Sequence, residues 1–407
     1  MRGLSWKLKN PANETIILTM AQSLPVVALM IPTAKPIIDE EEIEAVKNVL
    51  ESGMLAEGKV SREFEKEFAD YVGTKYATVT NNGTTALSTA LEALDIQPGD
   101  EVITTPFTFI ASANSILMIG AVPVFVDVKL DTYNINPDLI EEAITKRTRA
   151  IMPVHIFGMP CEMDQIMEIA EKHNLLVIED SCQAHGATVN GKMVGSIGHI
   201  GAYSFYATKN LMTGEGGMIT TDDEELMDRC LMIKNHGRGP EGGYNHHRVG
   251  YNNRMLDMVA ALGRVQLKRM PEVVRKRQET ASKYDKFFSG FPEVQPQITL
   301  SGMESGYHVY APRFFVKNLS RDEILQRLRD AKIGARTVYA LPCHKQRTYQ
   351  NIFSWRWSRC VNYPDYSSMT FQNAETVGET HIEIPVHPGV TEQDQSHILE
   401  TLTNILA

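Results

Sequence analysis

Tyr76-Ala77-Thr78-Val79-Thr80-Asn81-Asn82-Gly83-Thr84-Thr85 runs straight into Ala86-Leu87-Ser88-Thr89-Ala90-Leu91-Glu92-Ala93-Leu94. β-Branched and aromatic residues fill 76–80, the composition of a short strand. Asn81, Asn82 and Gly83 supply a turn, and 86–94 are helix formers. The stretch therefore reads as a strand, a glycine turn and a helix N-terminus. A helix that begins this way points unpaired N–H groups and a partial positive charge away from the end of the strand, a natural seat for an anion.

The same rhythm continues downstream. Strands are expected at 101–104, 122–126, 149–154 and 175–179, alternating with helices at 111–119, around 137–144 and at 163–173. Strands and helices of this length in alternation predict βαβ units, and hence an α/β fold with a mainly parallel sheet sandwiched by helices. Upstream, 38–49 and 60–71 carry apolar residues at helical spacing. Further on, a basic helical stretch at 271–284 precedes strands expected at 307–316 and 333–341, which flank a helix at 321–331. That second pattern predicts a smaller α+β C-terminal domain. The expected boundaries are an N-terminal extension over 1–30, a large domain over 31–285 and a small domain over 286–407.

Composition narrows the function classes. The 407 residues are 43% hydrophobic and 22% charged, with a formal net charge of −10. A balance this acidic lacks the clustered Lys and Arg of a nucleic-acid footprint, so a small-molecule partner is expected. Arg2, Lys7 and Lys9 precede an apolar stretch over 15–30 that imitates a signal peptide, but Glu14, Gln22 and Ser23 interrupt it. It falls short of the roughly 20 apolar residues of a membrane span, so no membrane association is expected, and 1–30 is set apart as a dispensable extension. Cys161, Cys182, Cys230, Cys343 and Cys360 are odd in number and scattered, without the spacing of a zinc site or a disulfide framework. No metal is expected, and the compartment implied is reducing and cytoplasmic.

Two motifs carry chemistry. The first is Val177-Ile178-Glu179-Asp180-Ser181-Cys182-Gln183-Ala184-His185-Gly186-Ala187, an apolar run ending in Asp-x-x-Gln-x-His-Gly. Polar groups at the carboxyl end of a parallel strand lie where open α/β sheets bind ligands, although a lone Asp there serves equally as a cap or turn residue. The second is Gly201-Ala202-Tyr203-Ser204-Phe205-Tyr206-Ala207-Thr208-Lys209-Asn210-Leu211, followed by Gly214-Glu215-Gly216-Gly217. A lysine in an apolar context loses some of its affinity for a proton and becomes a nucleophilic amine. Together Lys209 and Asp180 supply the two groups that pyridoxal phosphate needs, an amine to anchor its aldehyde and a carboxylate for its pyridine nitrogen. The glycine-rich turn at 214–217 is on its own no more than a tight connection.

From residue 31 to the C-terminus the chain resembles the DegT/DnrJ/EryC1/StrS group of pyridoxal-phosphate-dependent sugar aminotransferases, of fold type I. The matching segments are Ser52-Gly53, Asn82-Gly83-Thr84, Pro106-Phe107-Thr108-Phe109, 180–187, 204–209, 214–217 and Gly250-Tyr251-Asn252, with weaker likeness at 342–346 and 384–388. The resemblance implies that Lys209 forms the Schiff base and acts as general base, while Asp180 pairs with the pyridine nitrogen. It places Gln183 near the ring's O3′ and Phe109 on the ring face, and seats the phosphate on Gly83, Thr84 and Ser204. It has Asn252 reach the phosphate of a neighbouring subunit's site, so that a homodimer shares its active sites. His185 is carried over as an orienting residue for substrate or cofactor, although a structural histidine reads equally well there. The activity implied moves an amino group, usually from L-glutamate, to a keto carbon of a nucleotide-linked sugar for polysaccharide or glycan precursors, by way of pyridoxamine phosphate. One departure is Tyr307-His308-Val309-Tyr310-Ala311-Pro312-Arg313, where Pro312 interrupts the family's strand pattern and leaves the substrate-side contacts open.

Rival readings differ at named residues. A sugar dehydratase of the same family replaces the lysine by histidine, whereas this chain has Lys209. A cysteine desulfurase needs a reactive thiol, for which Cys343 and Cys360 are the candidates. A non-catalytic regulatory protein with this fold would have no need of both Lys209 and Asp180. A dinucleotide-dependent dehydrogenase lacks its Gly-x-Gly-x-x-Gly here. Arg238, Arg254, Lys268 and Arg336 are candidate contacts for a substrate diphosphate, each equally readable as solvated surface charge.

Overall fold

The computed structural model describes residues 30–407, so all but the last residue of the expected N-terminal extension lies outside the described residues. Two helices lead, α1 (Glu40–Ser52) and α2 (Lys59–Val72). The order then runs β1 (Tyr76–Thr80), α3 (Gly83–Ala93), β2 (Glu101–Thr104), α4 (Ala111–Met118), β3 (Val122–Phe125), β4 (Thr148–Ile151), α5 (Met163–His173) and β5 (Leu176–Asp180). A small hairpin, β6 (Thr188–Val189) and β7 (Lys192–Met193), precedes β8 (Ile200–Ser204), β9 (Gly217–Thr221), α6 (Glu224–Lys234) and the long α7 (Asp257–Phe288).

Seven strands form one sheet in the order β1-β9-β8-β5-β4-β2-β3. All pairings from β8 to β3 are parallel, and β9 runs antiparallel to both β8 and β1. The mainly parallel sheet expected from the βαβ rhythm is present. Successive side chains of a strand point to opposite faces, and here both faces are buried. Val102, Ala150, Ile178, Ala202 and Ile219 pack under α3 and α6 on one side. Their neighbours Ile103, Ile151 and Val177 face α5 on the other, and Tyr203 and Met218 face Phe64 and Phe68 of α2 and Met270 of α7. The continuous apolar runs in the sequence reflect this double burial.

Several elements differ from expectation. The helix expected at 137–144 is two 3-10 turns, Pro137–Leu139 and Glu141–Ala143. The basic stretch at 271–284 is the second half of a 32-residue helix that begins at Asp257 and carries Pro271 in its interior. The expected domain boundary at 285 thus falls inside α7, whose C-terminal turns add Ala281, Tyr284 and Phe288 to a second apolar core. The rest of that core comes from β10 (Val294–Gln295), Tyr310, β12 (Arg313–Phe314), α8 (Arg321–Asp330), Ile333 and Ala335, the segment 382–390 and α11 (Glu392–Leu406). β11 (Met303–Glu304) pairs instead with the small hairpin. The strands expected at 307–316 and 333–341 shrink to β12 and isolated bridges such as Tyr310 to Ile384 and Arg336 to Glu383. Pro312 has no N–H to continue a ladder. Between the two halves, α9 (Arg347–Gln350) and the 3-10 turn Tyr366–Ser368 pack near β3 and α4, through Tyr349 and Tyr366 against Phe125, while α10 (Gln372–Thr380) sets Ala374 and Val377 in a cluster with Phe107 and Phe157.

Asp257 ties the start of α2 to α7. Its carboxylate, 2% exposed, accepts from the backbone N–H groups of Gly58, Val60 and Ser61 and from the Ser61 hydroxyl (2.8, 3.2, 3.0 and 2.6 Å). It therefore caps α2, whose own N-cap is Gly58 with no side chain. Asp257→Ala leaves these donors without a partner and is expected to lower unfolding free energy by about 2–3 kcal/mol. Urea denaturation followed by circular dichroism measures it.

Candidate active site

The carboxyl ends of β1, β2, β5 and β8 open on one cleft of about 850 Å³. Gly83 and Thr84 follow β1, Phe109 follows β2, Asp180 ends β5 with Gln183 just beyond, and Ser204 ends β8 ahead of Lys209. All seven line the cleft. Ligand sites in open α/β sheets form at this edge, because the loops leaving parallel strands converge there.

The cleft's anion end is the start of α3. Asn82 caps it, its side chain accepting from the Thr85 N–H, and its carbonyl accepts from Ala86. The N–H groups of Gly83 and Thr84 have no hydrogen-bond partner among the described residues and stand at the cleft wall. Gly83 is required for space: a Cβ there would lie 2.6 Å from the Ser204 Cβ and 3.1 Å from the Cys182 sulfur. Gly217, on the adjoining strand, meets the same demand, since a Cβ there would stand 2.5 Å from the Asn82 carbonyl oxygen. The glycine-rich turn thus lets β9 close against the helix start.

Asp180 is 3% exposed. One carboxylate oxygen accepts from the Ser112 hydroxyl (2.6 Å), the other from the Cys182 N–H (3.1 Å). Ser112 also meets the Thr108 hydroxyl at 2.9 Å. The carboxylate is therefore fixed in orientation by groups that carry no charge. Gln183 is 3% exposed and accepts from the Phe157 N–H at 3.2 Å, steadying a residue whose φ of +59° is costly for a bulky side chain. Phe109 is 54% exposed; its one aromatic neighbour among the described residues is Tyr339, tilted with centroids 6.2 Å apart. The ring is thus available to a ligand that stacks on it.

Lys209 lies in a tight loop. Its N–H donates to the Tyr206 carbonyl (2.8 Å), Ala207 donates to Gly214, and Phe205 donates to Gly216. Its Nζ reaches 3.4 Å from the His308 Nε2. Burial lowers the amine's proton affinity, opposed by the nearby Cys182 and Asp180 and reinforced by Arg336.

Two expected residues lie off the cleft wall. His185 sits behind it, 1% exposed, its ring 5.4 Å from that of Tyr203 and 5.8 Å from that of Phe205, with neither nitrogen hydrogen-bonded among the described residues. Burial first, then Lys209 and Arg277, push its proton affinity down to about 3. It is a neutral ring in an aromatic shell and does not reach the cleft. Asn252 is exposed, holds the Arg254 guanidinium at 2.9 Å, and is not among the residues lining this chain's cleft. Of the four candidate diphosphate contacts only Arg336 lines the cleft, held by Glu383 (2.6 and 3.3 Å). Arg238 lies over Tyr244, Arg254 is bound to Asn252, and Lys268 is on the surface. Cys343 is 1% exposed and burial pushes its thiol up to about 12, which removes the thiolate a desulfurase needs.

The cleft also contains residues the sequence did not single out: Ser112, His308 and Tyr339. Ser112 and Tyr339 carry no local motif. His308 lies in the segment where the chain departs from the family pattern. No cluster of three or more metal-ligating side chains occurs among the described residues, and no helix among them is long and apolar enough to cross a membrane.

The donor set fits pyridoxal phosphate. Free N–H groups and a hydroxyl meet at a helix start that admits no side chain, an oriented carboxylate stands on the next strands, and a partly desolvated amine faces the same cleft. Comparison with known proteins points the same way. Residues 36–403 match the sequence pattern of the DegT/DnrJ/EryC1/StrS aminotransferase family. The chain is 38% identical over 388 residues to the spore coat polysaccharide biosynthesis protein SpsC of Bacillus subtilis, covering 92% of this chain and 97% of that one. It is 37% identical over 380 residues to the GDP-perosamine synthase of Caulobacter vibrioides, covering 92% and 98%. The X-ray structure of an aminotransferase from Psychrobacter cryohalolentis superposes with a TM-score of 0.83 at 36% identity, over 92% of this chain and 98% of that one.

Gly83→Ala is expected to weaken binding of pyridoxal phosphate by about tenfold or more, because the added methyl pushes Ser204 and the helix start apart. Fluorescence titration of the cofactor-free protein measures it.

Proposed function

The chain belongs to the DegT/DnrJ/EryC1/StrS aminotransferase family, and from that premise we propose that it transfers an amino group from an amino-acid donor, L-glutamate, to the keto carbon of a nucleotide-linked sugar. The observation that carries this reading is the convergence of Lys209, Asp180 and the start of α3 on one cleft large enough for a substrate beside the cofactor. GDP-perosamine synthase, by its name, makes a nucleotide-linked sugar, which supports that substrate class here.

Pyridoxal phosphate, when bound, supplies an aldehyde that captures amines and a ring that absorbs the electrons left when a proton departs from the neighbouring carbon. The chain's own residues divide the remaining work. The N–H groups of Gly83 and Thr84 and the Ser204 hydroxyl would hold the phosphate. Asp180, locked by Ser112 and the Cys182 N–H, would keep the pyridine nitrogen protonated. Gln183 would border the ring oxygen and Phe109 its face. Lys209 would anchor the cofactor and, once released, carry the proton between the substrate carbon and the cofactor's C4′. Burial favours its neutral form, the form that accepts a proton. His185, packed against Tyr203 and Phe205 without contact to the cleft, would act by supporting the loop that leads to Lys209.

Asn252 serves this reading only if two chains combine, reaching the phosphate of a neighbouring subunit's site. Its exposure on its own chain is what such a role requires. The proposed assembly is a homodimer with shared active sites.

A screen of nucleotide-linked keto sugars with glutamate as donor tests the reading, with aminated product followed by mass spectrometry. At least one sugar should be aminated by the wild-type protein; no product from any glutamate and keto-sugar pair would sink the assignment. Lys209→Ala is expected to lose the visible absorbance of the reconstituted protein and to lower kcat by about 10³-fold or more. Asp180→Asn should keep cofactor binding within about tenfold and lower kcat by about 10²-fold or more.

A further inference from the structure

Three strained or crowded backbone positions converge on the residue beside Lys209. Tyr307 holds a φ of +43°, Phe157 a φ of +59° and Gly158 a φ of +95°. The first two are conformations that a bulky side chain occupies only when its surroundings enforce them. A Cβ on Gly158 would stand 2.8 Å from both the Tyr307 and His308 amide nitrogens. The two segments are laced together. Gly306 donates to the Gly158 carbonyl and Val309 to the Phe157 carbonyl, while the Ser305 hydroxyl also donates to Gly158. From α7, one nitrogen of the Arg277 guanidinium, 4% exposed as a residue, donates to the carbonyls of both Tyr307 and His308 (3.0 and 3.1 Å). The product of this bracing is one geometry: the His308 ring beside the Lys209 amine.

We propose that His308 is the positioning residue for the Lys209 amine, its Nε2 accepting a hydrogen bond from Nζ across the observed 3.4 Å and so fixing where the amine sits whenever it is free. This rests on the reading of Lys209 as the reactive amine. A lysine that moves a proton between two carbon atoms must return to the same place after each release, and an unbranched four-carbon stem does not do so unaided. An acceptor on the wall holds one N–H and leaves the amine's lone pair directed elsewhere. For Nε2 to accept, the ring proton must sit on Nδ1, which is buried and has no partner among the described residues. The ring must also stay uncharged, since a cation there would repel Lys209. Its surroundings secure this. Burial first, then Lys209 beside it, Arg277 from α7 and Arg336 across the cleft hold His308 well below the usual histidine range, and His185 behind the wall is itself neutral. Cys182 just beyond β5 and Asp180 at its end face Lys209 and draw its proton affinity back up.

The test reads the amine directly, apart from turnover. Full-length cofactor-free protein is acetylated competitively as a function of pH, and modification of the peptide containing Lys209 is quantified by mass spectrometry. An ammonium donates a stronger hydrogen bond than a neutral amine, so removing the acceptor in His308→Phe should move the Lys209 midpoint down by about half a pH unit or more. His308→Gln keeps an acceptor and should stay close to wild type. In the reconstituted enzyme, the deuterium isotope effect on kcat/KM with α-deuterated glutamate should rise in His308→Phe and not in His308→Gln, because only a displaced amine slows the proton transfer. An unmoved or upward midpoint in His308→Phe, or equal shifts in both variants, overturns the proposal. A chain that binds no cofactor at Lys209 would fail instead in the absorbance of Lys209→Ala, so the two failures are separable.

Discussion

The site depends on a close approach that no side chain survives. Where β1 ends, the turn at Asn82 and Gly83 is pressed between the last residue of β8 and the first of β9. A Cβ at Gly83 would lie 2.6 Å from Ser204, and one at Gly217 would lie 2.5 Å from the Asn82 carbonyl. This contact brings the start of α3, with its unpaired N–H groups, level with the hydroxyl of Ser204 and the loop that bears Lys209. Burial of both sheet faces supplies the force that holds the strands there, through α3 and α6 on one side and α2, α5 and α7 on the other.

Two adjacent carboxylates on β5 show how the sheet separates structure from chemistry. Alternation along the strand sends Glu179 and Asp180 to opposite faces. Glu179 is fully consumed, accepting from the N–H groups of Gly195, Ile197 and Gly198 and meeting the His155 Nε2 at 3.0 Å. It fixes the loop that leads into β8. Asp180 is bound on fewer sides, by Ser112 and the Cys182 N–H, and faces the cleft. The difference between a structural and a chemical acid here is the number of donors that the fold spends on it.

Much of this is legible in the sequence. The glycine turn after 76–80, the strand rhythm to 180 and the Lys209 segment lead to the mainly parallel sheet and to seven residues that share the cleft. Their signals are local: a strand, a cap, a run of small residues. The connection after β3 and the C-terminal half are less legible. The helix expected at 137–144 breaks into 3-10 turns, and the strands expected at 307–316 and 333–341 become bridges, since Pro312 and a positive φ at Tyr307 and Tyr339 interrupt any regular ladder.

By itself the sequence determined the sheet, the helix start that faces its edge and the chemical types available there, because strand alternation and helix capping follow from neighbours along the chain. Only the tertiary structure decided which polar groups share a surface. It set His185 behind the wall and His308, ninety-nine residues along the chain from Lys209, against the amine. It oriented Asp180 with Ser112, and it chose Arg336 over three other candidates. Those outcomes depend on how remote segments pack and on which groups are buried with them, and no spacing within a single stretch of chain encodes that.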